Sequence, residues 1–281
     1  MQITQSCAKC LYDKQKRNVQ DEQYLQEIRA IIDGCDDHAS APYLVYLFNQ
    51  VYEKHFGKLV SYKEIKKKYN DMVLSMEDVL KVRIEQASDP LITAFAFARV
   101  GNFIDFGAMD HVDEEMFVSL FEKEQLSQSD QKVMKSFLNQ CEKAKTFLLI
   151  TDNCGEIVVD KLFLEQLHQR FPDLEINILV RGKEVLNDAT QDDAEYVGIG
   201  QYGKICTNGY PIAGTIYDML PEETKEIFEK SDVILAKGQG NYESLSKQGR
   251  HIFYSFLCKC DLFTERFQVP KYSGIFVEEK N

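Results

Sequence analysis

The segment FLLITDNCGEIVVDKL, residues 147–162, has the pattern of a strand, a turn and a helix in that order. Its apolar run stops at Asp152 and Asn153, and beyond Gly155 apolar residues return at helical spacing. A buried strand followed by a helix is half of a βαβ unit, from which parallel sheets are built. We therefore predict an α/β fold in this part of the chain, and we ask why polar side chains follow a buried strand directly.

The same alternation continues to the C-terminus. Strands are predicted in TFLLI (146–150), INILV (176–180), YVGIG (196–200), DVILA (232–236), HIFYSFL (251–257) and SGIFV (273–277). Helices are predicted between them at about 156–171, 183–190, 221–230 and 241–247. This alternation predicts a three-layer α/β/α sandwich with a mainly parallel sheet.

The N-terminal half has helical patterns throughout. Ser61 and Glu64 have the spacing of a capping box ahead of a long helix that ends near residue 82. Asp89 and Pro90 are suited to begin another helix, because proline at the first helical position loses no hydrogen bond. We predict an all-helical subdomain over residues 1–140, packed on the cleft of an α/β domain over residues 141–281.

Composition excludes several classes of protein. The 281 residues are 44% hydrophobic and 28% charged, as in soluble globular proteins, and no apolar run reaches the roughly 18 residues of a membrane span. The formal charge of −12 argues against nucleic acid or an anionic membrane as a partner. Residues 1–18 have no apolar core of a signal peptide, which favours a cytoplasmic location.

Polar groups follow three of the predicted strands. Asp152 and Asn153 follow the first strand, Asp188 lies a few residues beyond the second, and Lys237 begins a glycine-containing loop after DVILA. Ligands of open parallel sheets bind beyond the carboxyl ends of the strands. We therefore expect these groups to meet at one edge of the sheet.

Each group also has a structural explanation. Asp152 or Asn153 could cap the following helix, Asp188 could be a solvated turn residue, and Gly238 and Gly240 could be ordinary turn glycines. The glycine loop has neither the Walker A spacing nor a dinucleotide fingerprint. Aspartyl-phosphate chemistry is disfavoured because a cysteine, residue 154, occupies the second position after the aspartate.

Together the groups favour chemistry. Two aspartates and an asparagine are suitable ligands for a hard or borderline divalent cation. A lysine on a glycine loop is suited to bind phosphate. A cation and a phosphate receptor at one sheet edge indicate metal-assisted phosphoryl chemistry.

These motifs resemble a known family. DNCGEIVVDKL (152–162), NDA (187–189), KGQGNYE (237–243) and GNFIDFG (101–107) are similar to segments of the metal-dependent damage-control phosphatases, first described as a domain of unknown function. The likeness covers essentially the whole chain, and the short length and early Cys-x-x-Cys resemble the smaller microbial branch. The resemblance implies hydrolysis of phosphate monoesters of small, often damaged metabolites such as sugar phosphates, with manganese, cobalt, nickel or magnesium.

The resemblance also implies roles for residues. Asp152, Asn153 and Asp188 would bind the metal, and Lys237 would hold the phosphate. Asp105 would line the substrate side of the cleft, and as a nearby carboxylate it could position the attacking water. The remaining predicted substrate-binding residues are Asn102, Glu156, Gly238, Gly240 and Asn241.

Two pairs of cysteines are a candidate second metal site. Cys7 and Cys10 near the N-terminus, with Cys258 and Cys260 near the C-terminus, could form a structural zinc site. The alternative is unpaired thiols at the start of a helix and the end of a strand.

Two other functions stay open at this stage. One is S-adenosylmethionine-dependent group transfer on a doubly wound sheet, which the missing glycine fingerprint disfavours. The other is a non-catalytic metabolite- or metal-binding protein of the same fold, which the intact motif residues disfavour. The sequence names neither the substrate nor the oligomeric state.

Overall fold

The computed structural model describes residues 3–35, 39–102, 121 and 126–280. Within these residues the chain forms twelve α-helices and six strands. The helices of the N-terminal half are α1 Gln5–Asn18, α2 Glu22–Asp33, α3 Ala41–Phe56, α4 Lys63–Leu74, α5 Glu77–Glu85, α6 Pro90–Gly101 and α7 Gln128–Cys141. The following elements are β1 Thr146–Ile150, α8 Glu156–Arg170, β2 Glu175–Val180, α9 Gln191–Val197, β3 Lys204–Thr207, α10 Glu222–Lys230, β4 Val233–Lys237, α11 Gln239–Leu245, β5 Ile252–Leu257, α12 Asp261–Phe267 and β6 Gly274–Glu279.

The six strands form one sheet in the order β3-β2-β1-β4-β5-β6. Strands β1 to β5 are parallel, and β6 pairs antiparallel with β5. The chain first proceeds from β1 to β3 on one side and then returns to place β4 beside β1. The point between β1 and β4 is therefore the switch point at which ligands bind in doubly wound sheets.

Helices cover both faces of the sheet. Phe147 and Leu149 of β1 lie in a core that includes residues of α4 to α9, whereas Leu148 and Ile150 lie in a core with α10, α11 and α12. The alternation arises because successive strand residues point to opposite faces. The predicted three-layer α/β/α sandwich with a mainly parallel sheet is confirmed.

The N-terminal helices do not share a single core. Helices α1, α2 and α3 pack around their own cluster, which includes Tyr24, Leu44 and Phe48. Helices α4 to α7 instead contribute to the same core as the sheet. The predicted division of the chain at residue 140 is not tested by this packing and stays a prediction. In the part of the chain that the structure describes, no helix is both long and apolar enough to cross a membrane.

Four local predictions are wrong. Ser61 and Glu64 form no capping box: Tyr62 precedes α4, and the Ser61 hydroxyl donates to Glu184. The single long helix expected there is two, α4 and α5. Residues 183–190 are not helical, because they form the turns that present Asp188, and YVGIG is the end of α9 and a 3-10 turn rather than a strand.

Candidate active site

The site lies at the switch point between β1 and β4. Asp152 and Asn153 follow β1, and Lys237 and Gly238 lie where β4 ends. A second loop, between β2 and α9, crosses to meet them. Two backbone hydrogen bonds fasten it: Cys154 N–H to the Asn187 carbonyl at 2.8 Å, and Ala189 N–H to the Asp152 carbonyl at 2.8 Å.

These bonds place Asn153 opposite Asp188 in a short antiparallel bridge. Leu186, with φ of +47°, adopts a left-handed conformation that is unfavourable for leucine. It lies two residues before Asp188, in a turn closed by the Asp188 N–H and the Val185 carbonyl at 3.1 Å. Backbone structure thus brings together two residues that lie far apart in the sequence.

Asp152 is the most exposed member of this group. Its side chain is 12% exposed, and its Oδ2 accepts hydrogen bonds from Asn102 Nδ2 at 2.9 Å and Asn153 Nδ2 at 2.8 Å. Burial, together with the charges of Asp188 and Glu156, raises the pKa of Asp152 to about 7. Burial and the neighbouring carboxylates therefore both oppose ionisation of Asp152, and a bound cation would favour it.

Asp188 is paired with a buried arginine. Arg181 Nε donates to Asp188 Oδ2 at 2.7 Å, and Arg181 Nη2 lies 3.4 Å from Asp152 Oδ1. Burial raises the pKa of Asp188 although the guanidinium opposes this effect. One guanidinium thus contacts both aspartates.

Lys237 lies in a second buried charge cluster. Its ammonium donates to the Ala98 carbonyl at 3.0 Å, to Glu156 Oε1 at 2.7 Å and to Asp160 Oδ1 at 2.7 Å. Its three N–H donors are all used within the protein. Burial opposes the lysine charge, but Asp160 and Glu156 outweigh this effect and raise the pKa of Lys237. Burial raises the pKa of Asp160 to about 7, and Asp160 Oδ2 has no hydrogen-bond partner among the described residues.

Glu156 and Asn102 connect the two clusters. Glu156 Oε2 accepts from Asn102 Nδ2 at 2.8 Å and from the Asn153 N–H at 3.3 Å, while its Oε1 binds Lys237. Asn102 Oδ1 accepts from the Leu257 N–H at 3.3 Å. The last residues of α6, the start of α8 and the end of β5 are therefore held in one hydrogen-bonded network.

The charges and the oxygen ligands of these side chains suit a divalent cation. Aspartate and asparagine oxygens are hard ligands of the kind that magnesium and manganese accept. The hydrogen-bonded network contains four carboxylates and two cationic side chains, a formal charge of −2 when every carboxylate is ionised, which one divalent cation would balance; these residues are Asp152, Glu156, Asp160, Asp188, Arg181 and Lys237. No three His, Cys, Asp or Glu side chains of the described residues are grouped for metal binding. The candidate site therefore depends on a carboxamide, Asn153, as a ligand.

Residues 1–275 match the family model described as the damage-control phosphatase ARMT1-like domain. The chain belongs to this family. A damage-control phosphatase from Archaeoglobus fulgidus is 30% identical over 93% of this chain and 93% of its own length. Damage-control phosphatase PH1575 from Pyrococcus horikoshii is 29% identical over 83% of this chain and 79% of its own.

The fold of this damage-control phosphatase family member is also that of a solved relative. The crystal structure of PH1575, a DUF89 family protein, superposes with a TM-score of 0.79 and 25% identity over the full length of both chains. The family predicted from the motifs is confirmed.

The structure brings most of the predicted site residues together. Asp152, Asn153, Asp188 and Gly238 lie together at the sheet edge, and the Lys237 ammonium lies beside them in the cluster that Glu156 connects to Asn153. Gly240 packs so tightly that a Cβ on it would lie 2.2 Å from the Ala213 carbonyl oxygen. Asp105 lies outside the described residues, so its role stays a prediction.

The side chain of Asn241 is used within the protein. Its Nδ2 donates to the Thr151 and Lys237 carbonyls at 3.0 and 2.6 Å, and its Oδ1 accepts from Arg181 at 3.1 Å. Like Asn102 and Glu156, it is fully buried. The predicted contacts of these three residues with a substrate stay predictions, and their observed contacts are with the candidate ligands and their supports.

Sequence reasoning gave no role to three charged residues of the site. Arg181 directly follows β2, and Asp160 lies one helical turn after Glu156 on a fully buried stretch of α8. Lys259 lies just beyond β5; burial raises the pKa of Asp152 and of Asp188, and the positive charge of Lys259 partly opposes this rise. Two signals in the sequence point to two of them: a lysine closely follows the fifth strand, and a carboxylate among the buried apolar residues of a helix requires a buried partner.

The cysteine prediction has no support from the structure. All four thiols are free, with Cys258 buried and Cys10 exposed. Burial raises the pKa of Cys260, and the nearby Cys7 adds to this rise. The four-thiolate zinc site stays a prediction.

Proposed function

We propose that this damage-control phosphatase family member hydrolyses phosphate monoesters of small, damaged or side-product metabolites such as sugar phosphates, and that it requires a divalent cation. The observation that carries the proposal is the placement of Asp152, Asn153 and Asp188 around one point at the switch point of the sheet. The names of the relatives support a phosphatase, and the donor set supports the cation.

Asp152, Asn153 and Asp188 would hold the cation, which when bound polarises a phosphoryl oxygen and activates water. The carboxylates of Asp152 and Asp188 present their oxygens from two loops that the backbone bridge fixes. Preorganisation of this kind reduces the cost of reorganising polar groups during the reaction.

For Lys237 the buried contacts favour a role behind the ligands rather than direct phosphate binding. Its ammonium binds Glu156, and Glu156 in turn accepts from the Asn153 N–H. We assign to Lys237 the placement of Glu156, and through it of Asn153. Gly238 leaves the space that the Asp152 carboxylate fills.

We assign the phosphate-facing positive charge to Lys259. It is half-buried at the same sheet edge, and its charge acts on Asp152 and Asp188. A lysine in that place attracts a dianionic phosphate ester towards the two carboxylates that would hold the cation.

A phosphate-release assay tests the proposal. The purified protein is incubated with a panel of phosphorylated metabolites and manganese, cobalt, nickel or magnesium, with and without chelator. The proposal expects phosphate release that the chelator abolishes and added cation restores. Release that persists undiminished in chelator would overturn the cation requirement, and silence with every substrate and cation would favour group transfer or a non-catalytic binding protein.

A further inference from the structure

Arg181 is buried in the middle of the candidate cation site. It is 0% exposed, and its guanidinium contacts both proposed carboxylate ligands, Asp188 at 2.7 Å and Asp152 at 3.4 Å. An arginine side chain cannot lose its charge in a protein. The site therefore holds a permanent positive charge directly beside the place of a divalent cation.

The guanidinium is fixed from its other side. Arg181 Nη1 donates to Asn241 Oδ1 at 3.1 Å and lies 3.5 Å from Thr215 Oγ1. Thr215 Oγ1 also donates to Asn241 Oδ1 at 2.9 Å, and Asn241 Nδ2 is bound to two backbone carbonyls. Arg181 cannot leave the site when a cation arrives without breaking this network.

The charge of Arg181 acts in two ways. Without a cation it offsets the repulsion between Asp152 and Asp188, because opposite charges at these distances attract strongly in a poorly screened interior. With a cation it repels that cation for the same reason. The first effect stabilises the cation-free site, and the second weakens the binding of the cation.

We propose that Arg181 is an internal counter-ion of the cation site, which balances Asp152 and Asp188 in the cation-free protein and lowers the affinity of the site so that the cation exchanges readily. The inference rests on the proposed function, since it requires that these carboxylates bind a cation. Arg181 is a positioning residue and not a catalytic one, because it acts through the two ligands.

Manganese binding to the chelator-treated protein tests the proposal, with free Mn²⁺ measured by electron paramagnetic resonance. Arg181→Met removes the charge and keeps much of the length, and we expect it to lower the Kd by about tenfold or more. A purely structural arginine would give the opposite sign, because loss of its contacts would disorder the ligands. An unchanged or higher Kd in Arg181→Met overturns the proposal.

Arg181→Lys is the matched control, because it keeps the charge and loses the fork of donors. We expect its Kd within about threefold of the wild-type value, whereas a Kd raised by tenfold or more would show that geometry dominates and would overturn the proposal. Where Arg181→Met does not fold without metal, a Kd raised by tenfold or more in Arg181→Lys still overturns the proposal.

Thermal unfolding gives a second readout. Manganese should raise the Tm of Arg181→Met more than that of the wild type, since a tighter ligand stabilises more. An equal or smaller rise contradicts the proposal. A wild-type protein that binds none of manganese, cobalt, nickel or magnesium would overturn the proposed function as well, whereas wild-type binding without tightening in Arg181→Met overturns this inference alone.

Discussion

Gly238 lies directly against the carboxylate of Asp152. A Cβ on this glycine would be 2.1 Å from Asp152 Cγ and from Oδ2. Its φ of +80° is also one that residues with a side chain rarely adopt. The glycine therefore has two functions: it allows the turn after β4, and it leaves space for the Asp152 carboxylate, a proposed ligand.

Gly238→Ala should remove activity by displacing Asp152. We expect kcat/KM to fall by about 100-fold or more, because catalytic groups displaced by an ångström lose rates of that order. Gly249→Ala is the control, since Gly249 has a φ of +66° and a Cβ on it would meet no atom within 4 Å. Urea unfolding measures the loss of stability, which we expect in both variants, and steady-state kinetics measures the loss of activity, which we expect only in Gly238→Ala. Equal losses of activity in the two variants would contradict this role of Gly238.

Lys237→Met should destabilise the protein strongly. Removing the ammonium leaves Glu156 and Asp160 buried without their counter-charge, a change that costs about 3–5 kcal/mol in the free energy of unfolding. Lys204→Met removes an exposed ion pair with Glu223 and should cost less than about 1 kcal/mol. Urea unfolding of both variants checks this, and a Lys237→Met cost as small as that of the control would refute the interpretation of the cluster.

The sequence is sufficient to predict the architecture, and it also selects the strand ends that form the candidate site. The apolar runs that became β1, β2, β4, β5 and β6 were recognised, because buried strands are short and clearly bounded. Asp152, Asn153 and Lys237 are candidates from the sequence because open sheets bind ligands at the ends of their strands.

The sequence pattern does not predict contacts between residues that lie far apart in the chain. The backbone bridge between Asn153 and Asp188 depends on the left-handed turn at Leu186, which no propensity for leucine predicts. The role of Lys237 depends on its contact with Asp160, and this contact forms only because α8 packs on β4. Local preference predicts a helix over residues 183–190, but tertiary contacts determine the conformation of that loop, and the prediction is therefore wrong.

Asp160 should make the stability of the cation-free protein depend on pH. Its pKa is about 7 in the folded protein and 3.8 ordinarily, so the folded state binds its proton more tightly. The stabilisation is therefore present below pH 4 and is lost as the pH rises to about 7, by up to a few kcal/mol. Urea unfolding in chelator should show this fall in the wild type relative to Asp160→Asn, and parallel pH profiles would contradict it.

Lys259→Met should weaken substrate binding. A lysine that faces the phosphate contributes in the ground state as well as in the transition state, so KM should rise by about tenfold with a smaller change in kcat. Lys143→Met, an exposed lysine just beyond α7, is the control and should leave both constants unchanged. A KM for Lys259→Met equal to that of the control would exclude Lys259 from the phosphate site.

The most direct test of the cation site is phosphate release by Asp188→Asn beside the wild type, each stripped with chelator and then given manganese. Asparagine has nearly the same shape but no charge, and Arg181 can no longer pair with a carboxylate at this position. We predict that manganese restores phosphate release to the wild type and not to folded Asp188→Asn. Equal restoration in both proteins would contradict the claim that Asp152, Asn153 and Asp188 hold the cation on which hydrolysis depends.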